Sequence, residues 1–296
     1  MFELADMASG PEASRLPRAN ECRVPEVKEI LFPSENRSSG DCDLNLNEFG
    51  WMNVDNSPAI LKQTFALRYS VYCLERNFLN PDLYHDNYET DEFDDTSIHL
   101  AIHHKLCSGV AATARIVVSD TPERHAQILP LYRHCNVEPK IQHMLTNSNK
   151  IGEVSRFAIS KSAIHRTINE KKMYLEKDFA DLTSLPTRAS AHLSAILLLY
   201  KSIYQTSRLN GINYLLAAME KSLRRLFRKF HFPFHQIGEE VDYYGTVAPY
   251  IIDLNELDKV LSEKLPWLLA EFKDGLGDNA SACEPSATFA NATMAI

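Results

Sequence analysis

The sequence predicts an α/β (α+β) three-layer sandwich, a mixed and mostly antiparallel sheet flanked by helices. Three observations predict it. Two strand-forming runs, 97–104 and 110–119, are joined by a turn at Leu106–Gly109 and have the form of a hairpin. The stretch Ile-Gly-Glu-Val-Ser-Arg-Phe-Ala-Ile over 151–159 has the apolar, partly β-branched composition of a central strand. Beyond Ser190, helical and strand-like segments alternate to about residue 254.

Taken in order, Ser57-Pro58 opens a helix, with Ser57 expected as N-cap and Pro58 in the first turn. Ile60, Leu61, Thr64, Leu67, Val71 and Leu74 carry helical spacing to about Asn77 and place Arg68 and Tyr72 on one face. A polar, aromatic loop follows from Asn80, with the acidic run 89–95; alone, such a run is a solvated turn. The hairpin comes next, and Arg115 sits mid-strand among Ala112, Ala114, Ile116 and Val117. An arginine there either snorkels at an edge or partners buried acids. A connection bearing Pro122, Pro130 and Pro139 leads to strand 151–159. A helix over 190–209 ends near Gly211, 213–217 is a buried strand, and 221–230 is a helix. Strand-like stretches at 234–237 and 246–254 close the sheet, and Asn255 is expected to cap a last helix.

At 296 residues the chain holds one large domain or two small ones. The expected organisation is a poorly ordered arm over 1–50, one domain over 51–274 with a partly helical insertion at about 162–187, and a flexible tail over 275–296. A net charge of -8 argues against general nucleic-acid binding. The first thirty residues, with Glu3, Asp6, Glu12 and Arg15, show no secretory signal, and no apolar run approaches the ~20 residues of a membrane span. Cysteines 22, 42, 73, 107, 135 and 283 lack CxxC spacing and read as reduced thiols of a cytoplasmic protein; no metal site is expected.

Strand 151–159 carries a carboxylate, a hydroxyl and a guanidinium as Glu153, Ser155 and Arg156. An unbroken strand points Glu153 and Ser155 to one face and Arg156 to the other, unless a bulge re-aims it. Burying these groups costs several kcal/mol unless each has a partner, so such a strand calls for nearby charges. An edge strand with a solvated polar face is the alternative.

Arg68-x-x-x-Tyr72, Asp91-Glu92-Phe93-Asp94, Gly109 through Arg115, and Glu153-Val154-Ser155-Arg156-Phe157 occur in that order. The set resembles the acyl-homoserine-lactone (autoinducer) synthases and the N-acyl amino acid synthases, bacterial branches of the GCN5-related N-acyltransferase (GNAT) superfamily. The C-terminal half, with Leu223, Arg225, Leu226, Ile237-Gly238 and Tyr244-Gly245, looks closer to acyltransferases associated with PEP-CTERM/exosortase systems. The likeness spans roughly 57–255. It implies a splayed cleft between the central strands, with Arg68, Asp91, Asp94, Arg115, Glu153, Ser155 and Arg156 as its catalytic cluster. Such a cluster can instead be an ion-pair network that fixes the first helix on the sheet. Glu153 is the candidate base for an attacking amine, and an arginine is suited to hold an acceptor carboxylate. Backbone N–H groups of Phe157, Ala158 and Ile159 would receive a thioester oxyanion and line the phosphopantetheine path.

Acetyl-CoA users of the superfamily carry a glycine-bearing loop after this strand, where N–H groups hold pyrophosphate. Here Ser160-Lys161-Ser162-Ala163-Ile164-His165-Arg166 follows without glycine. The expected co-substrate is therefore a phosphopantetheine thioester of acyl carrier protein, with acyl-CoA second and no tightly bound cofactor. Lys221, Arg224, Arg225 and Arg228 form a stripe at i, i+3, i+4 and i+7, a dock for an acidic carrier or simply a solvated helix face. The expected acceptor is the amine of an amino acid or similar small molecule. Phe78 stands where autoinducer synthases have tryptophan, which favours simple transfer over S-adenosylmethionine-dependent lactone synthesis. A non-catalytic module binding acyl carrier or lipid is the third alternative.

Overall fold

Eight strands form one sheet: β1 (Phe49–Asn53), β2 (Ser97–His104), β3 (Val110–Ser119), β4 (Ile151–Ile159), β5 (Tyr214–Glu220), β6 (His235–Gln236), β7 (Val241–Asp242) and β8 (Thr246–Asp253). Their order is β1-β2-β3-β4-β5-β8-β6, with β7 pairing β8. The computed structural model describes residues 49–104, 109–148, 150–166, 168–169, 188–243 and 245–276. All of these lie in the unit Pro33–Ile296; the unit Met1–Phe32 falls outside them.

Every strand pair is antiparallel except β4–β5. Parallel neighbours need a long crossover, and helix α5 (Arg188–Leu209) lies within it. The parallel pairing is short. Ile151, Gly152 and Glu153 match Tyr214, Leu215 and Leu216, and then the strands part. β4 stays paired with β3 to Ile159, and β5 with β8 to Glu220, so a wedge opens between 154–159 and 217–220. This is the splay the sequence resemblance implied.

Helix α1 (Pro58–Tyr69) packs on β3 and β4, and Leu67 and Val71 close over Ala158. The connection between β3 and β4 folds into α2 (His125–Ile128), α3 (Leu131–His134) and α4 (Pro139–Leu145). It packs Leu129, Leu131, Ile141 and Leu145 against Val117, Ile151, Tyr214 and Leu216. By strand alternation, Ala112, Ala114 and Ile116 point to the other face, where α5 lies along β1 to β4. Helices α6 (Lys221–Lys229), α7 (Leu254–Lys264) and α8 (Pro266–Lys273) complete the chain. The layers are those of a three-layer sandwich.

Several local expectations need correction. Ser57 makes no side-chain cap bond, and α1 starts on Pro58 alone. Its continuation, Ser70–Glu75, is π-helical rather than α-helical, with Arg76 N–H donating to Val71 O. Asp253, not Asn255, caps α7: its carboxylate accepts the Asn255 N–H at 2.8 Å. The strand β1, the three short helices after β3 and helix α8 were not foreseen, because each is too short or too irregular to show a period. The hairpin tip at 105–108, residues 170–187 of the insertion and Tyr244 lie outside the described residues, whereas 161–166 is helical.

Candidate functional site

β4 is a central strand, so its polar residues are not a solvated edge. The predicted alternation breaks at one point. Arg115 pairs with Ser155 and Thr113 with Ala158, which leaves one residue of β3 opposite two of β4. Arg156 sits in this bulge at φ 52°, left-handed backbone that non-glycine residues rarely adopt. The bulge turns its guanidinium toward the loop that Arg115 also meets.

The resulting cluster is buried and fully paired. Arg68 spans Asp94 with Nη1 and Nη2 at 2.6 and 3.1 Å, and its Nε donates to Glu89. Arg115 donates from Nη1 to Asp94 at 2.6 Å, from Nη2 to Asp91 at 2.7 Å and from Nε to Ser155 Oγ at 2.9 Å. Arg156 reaches Glu89 from Nε at 3.0 Å and Asp91 from Nη2 at 2.9 Å, with its guanidinium over the Tyr72 ring. His99 lies between two carboxylates, Asp55 at 3.0 Å from Nδ1 and Asp94 at 3.2 Å from Nε2. With an acceptor on each nitrogen, the ring is an imidazolium. Burial works against this charge, but the bonds to Asp55 and Asp94 outweigh it and raise the His99 pKa. Asp94 is the hub. Burial disfavours its charge, yet His99, Arg68 and Arg115 hold it well below the ordinary carboxylate range. Asp91 is lowered in the same manner, chiefly by Arg115 against its burial.

Three of the cluster's members escaped the sequence reading. Glu89 is wholly buried and joins Arg68 to Arg156. Its only signal was membership of an acidic run, which says nothing about which acid turns inward. His99 with Asp55 had no signal at all, since these residues are brought together only by the pairing of β1 with β2.

Glu153 stands apart from this bonding. It shares the face of Arg115 and Ser155 but, among the described residues, touches no cation; its carboxylate accepts the Leu131 N–H at 2.7 Å, at the start of α3. It is 3% exposed. Burial pushes its pKa up to about 8, against the Leu131 bond and the more distant Arg115 and Arg156. The ion pairs explain this state: Arg68, Arg115, Arg156 and His99 are matched by Asp55, Glu89, Asp91 and Asp94, and no cation remains for Glu153. Its position is also special. Glu153 opposite Leu216 is the last pair before β4 and β5 separate, so the unmatched carboxylate sits at the apex of the wedge.

Along the wedge, Ser160 N–H donates to Ala111 O of the β3 side. Alternation then directs the N–H groups of Ile159 and Phe157 into the gap and that of Ala158 toward β3. Ala158 thus differs from its two neighbours, with which it was grouped as a donor. Tyr72 donates its hydroxyl to Phe157 O at 3.3 Å, and burial pushes its pKa up to about 12. Across the gap, Arg76 faces Glu220 at 3.8 Å.

The basic stripe on α6 is only partly free. Lys221 pairs with Glu240 at 2.8 Å, and Arg224 donates to Phe234 O at 2.7 Å and lies over the Tyr250 ring. Arg225 and Arg228 remain exposed. The Ile237-Gly238 motif has a packing role. A Cβ on Gly238 would lie 2.0 Å from Asn136 O, and Ile237 O accepts the Glu138 N–H at 2.8 Å. Together they clamp the α3–α4 connection to the sheet.

Part of the chain is similar to known proteins. Residues 67–186 match the family model described as an acetyltransferase (GNAT) domain, which covers Arg68 through β4. Over these residues the chain is similar to a GNAT domain, and that match supports the expectation of an N-acyltransferase enzyme. No curated protein matched the sequence. Among solved structures, similarity extends to FeeM, an N-acyl amino acid synthase from uncultured soil microbes, at 15% identity and a TM-score of 0.45, covering 72% of this chain and 94% of that one. TofI in a ternary complex with an inhibitor and MTA is similar at 16% identity and a TM-score of 0.48, covering 75% and 99%. BjaI, a CoA-dependent acyl-homoserine lactone synthase with SAM and isopentyl-CoA, is similar at 17% identity and a TM-score of 0.43, covering 73% and 88%. Among the described residues no helix is long and apolar enough to cross a membrane, and no cluster of His, Cys, Asp and Glu has metal-binding geometry.

Proposed function

We propose that this chain transfers a fatty acyl group from the phosphopantetheine of acyl carrier protein to the amine of an amino acid or similar small acceptor, in the cytoplasm. One observation carries the reading: the buried carboxylate without a cation, Glu153, lies where the strands part. An acceptor ammonium entering the wedge supplies the missing charge. It gives a proton to Glu153, whose pKa of about 8 suits exchange near neutrality. The amine nitrogen then bonds to the thioester carbonyl carbon, the C–S bond breaks, and the leaving carrier thiolate takes up the second proton that the nitrogen sheds as it becomes an amide. The Phe157 and Ile159 N–H groups receive the oxyanion. Arg115 and Arg156, fixed by Asp91, Asp94 and Glu89, hold the field around Glu153 constant and orient the acceptor. The exposed Arg225 and Arg228 support carrier docking more than the other two members of the stripe. Affiliation with the exosortase-associated branch is part of the proposal and rests on Leu223, Arg225, Leu226 and Ile237-Gly238.

The test is incubation with carrier protein charged with a long acyl chain and a panel of amino acids and amines, following release of carrier thiol. Turnover with wild type and its loss in Glu153→Gln are expected. A requirement for S-adenosylmethionine with release of methylthioadenosine would move the protein to lactone synthesis. Carrier binding without turnover for any acceptor would make it a non-catalytic module.

A further inference from the structure

β4 ends at Ile159, and Ser160 turns the chain into the helical segment 161–166. At this turn two donors converge on one side chain. Ser160 Oγ donates to Glu75 Oε1 at 2.8 Å and Lys161 N–H to Oε2 at 3.3 Å, while Ser162 Oγ donates to Ser160 Oγ at 2.8 Å and stands 3.4 Å from Oε1. Ser160 Oγ in turn accepts the Ala163 N–H at 3.2 Å, which orders the turn around the carboxylate. Glu75 is the last residue of the π-helical segment after α1, and the wider turn is what aims it here. The adjacent Arg76 is directed across the wedge to Glu220.

Backbone donors that open a helix after a strand favour an anion, and phosphates commonly take that position. In this protein the chain's own carboxylate has taken it, at the open end of the wedge. We infer that Glu75 is a donor-specificity residue. It occupies the donors at the end of β4 and repels a further anion, so the diphosphate of an acyl-CoA is excluded while a carrier-borne phosphopantetheine arm is admitted. This rests on the acyl-transfer reading above. The arm of a carrier protein brings a single phosphodiester that stays at the carrier surface, so it loses nothing to Glu75.

The experiment uses the full chain and two variants, Glu75→Gln, which keeps the shape and removes the charge, and Glu75→Ala, which frees the donors. Binding of coenzyme A and of pantetheine is measured by calorimetry, and kcat/KM is measured with acyl-CoA and acyl carrier protein of one chain length. Glu75→Ala is expected to bind coenzyme A at least tenfold more tightly than wild type, with a smaller gain for Glu75→Gln and no change for pantetheine. Relative kcat/KM should shift at least tenfold toward acyl-CoA, through KM. Coenzyme A binding that is unchanged in a folded Glu75→Gln or Glu75→Ala protein overturns the inference. If the gain in coenzyme A binding appears but neither thioester is turned over by any variant, the acyl-transfer reading fails and the occupancy by Glu75 stands.

Discussion

Two buried regions of this protein are built on opposite terms. Around Tyr200, the rings of Phe227, Phe232, Phe234 and Phe272 lie at centroid distances of 4.9, 4.7, 6.0 and 6.3 Å. This cluster joins α5, α6 and α8 through contact area, which is favourable almost irrespective of detail. Around Asp94, by contrast, Arg68, Arg115 and His99 are buried at the cost of their hydration. Apolar residues of similar volume in such a place are often as stabilising or more so. The difference teaches that the second region is not there for stability. It fixes loop 89–94, α1 and the bulge of β4 in one geometry, and leaves Glu153 without a cation in that network, its pKa pushed by burial up to about 8.

Substitutions can break or sharpen this contrast. The largest effect is expected at Glu153: Glu153→Gln should lower kcat by about 100- to 10,000-fold in the acyl-transfer assay while the protein stays folded. Wild-type kcat should rise with pH through the neighbourhood of 8, and the variant should lose that dependence. Next comes Arg115→Met. It leaves Asp91 and Asp94 short of a cation, and urea unfolding should show a loss of about 3–5 kcal/mol. Phe232→Leu, in the aromatic region, should cost about 1–2 kcal/mol and leave kcat within a few-fold of wild type. If the Arg115 and Phe232 variants behaved alike in both assays, the two regions would not differ in kind.

A further effect concerns pH and stability. A carboxyl whose pKa rises from 4.5 unfolded to about 8 folded binds more protons in the native state across that interval. Its contribution therefore falls as pH rises, by at most about 1.4 kcal/mol per pH unit between those limits. Glu153→Gln removes this loss, so its stability relative to wild type should increase from pH 5 to pH 8 in parallel denaturant titrations. A constant difference would place Glu153 in water-like surroundings.

By itself the sequence determined the layers, the strand order through the hairpin, and the charged residues that needed partners. Period-two and period-3.6 patterns are local, and Glu153-x-Ser155-Arg156 within an apolar strand is locally conspicuous. Tertiary structure alone decided which acids turn inward. Asp91, Asp94 and Glu89 look alike in the run 89–95, and only the approach of α1 and β3 selects among them. It also decided that a bulge swings Arg156 onto the face of Arg115, that Glu75 reaches the end of β4 from a π-turn, and that Lys221 and Arg224 are engaged. These are contacts between residues far apart in the chain, and a side chain's partner across such a distance leaves no period to read.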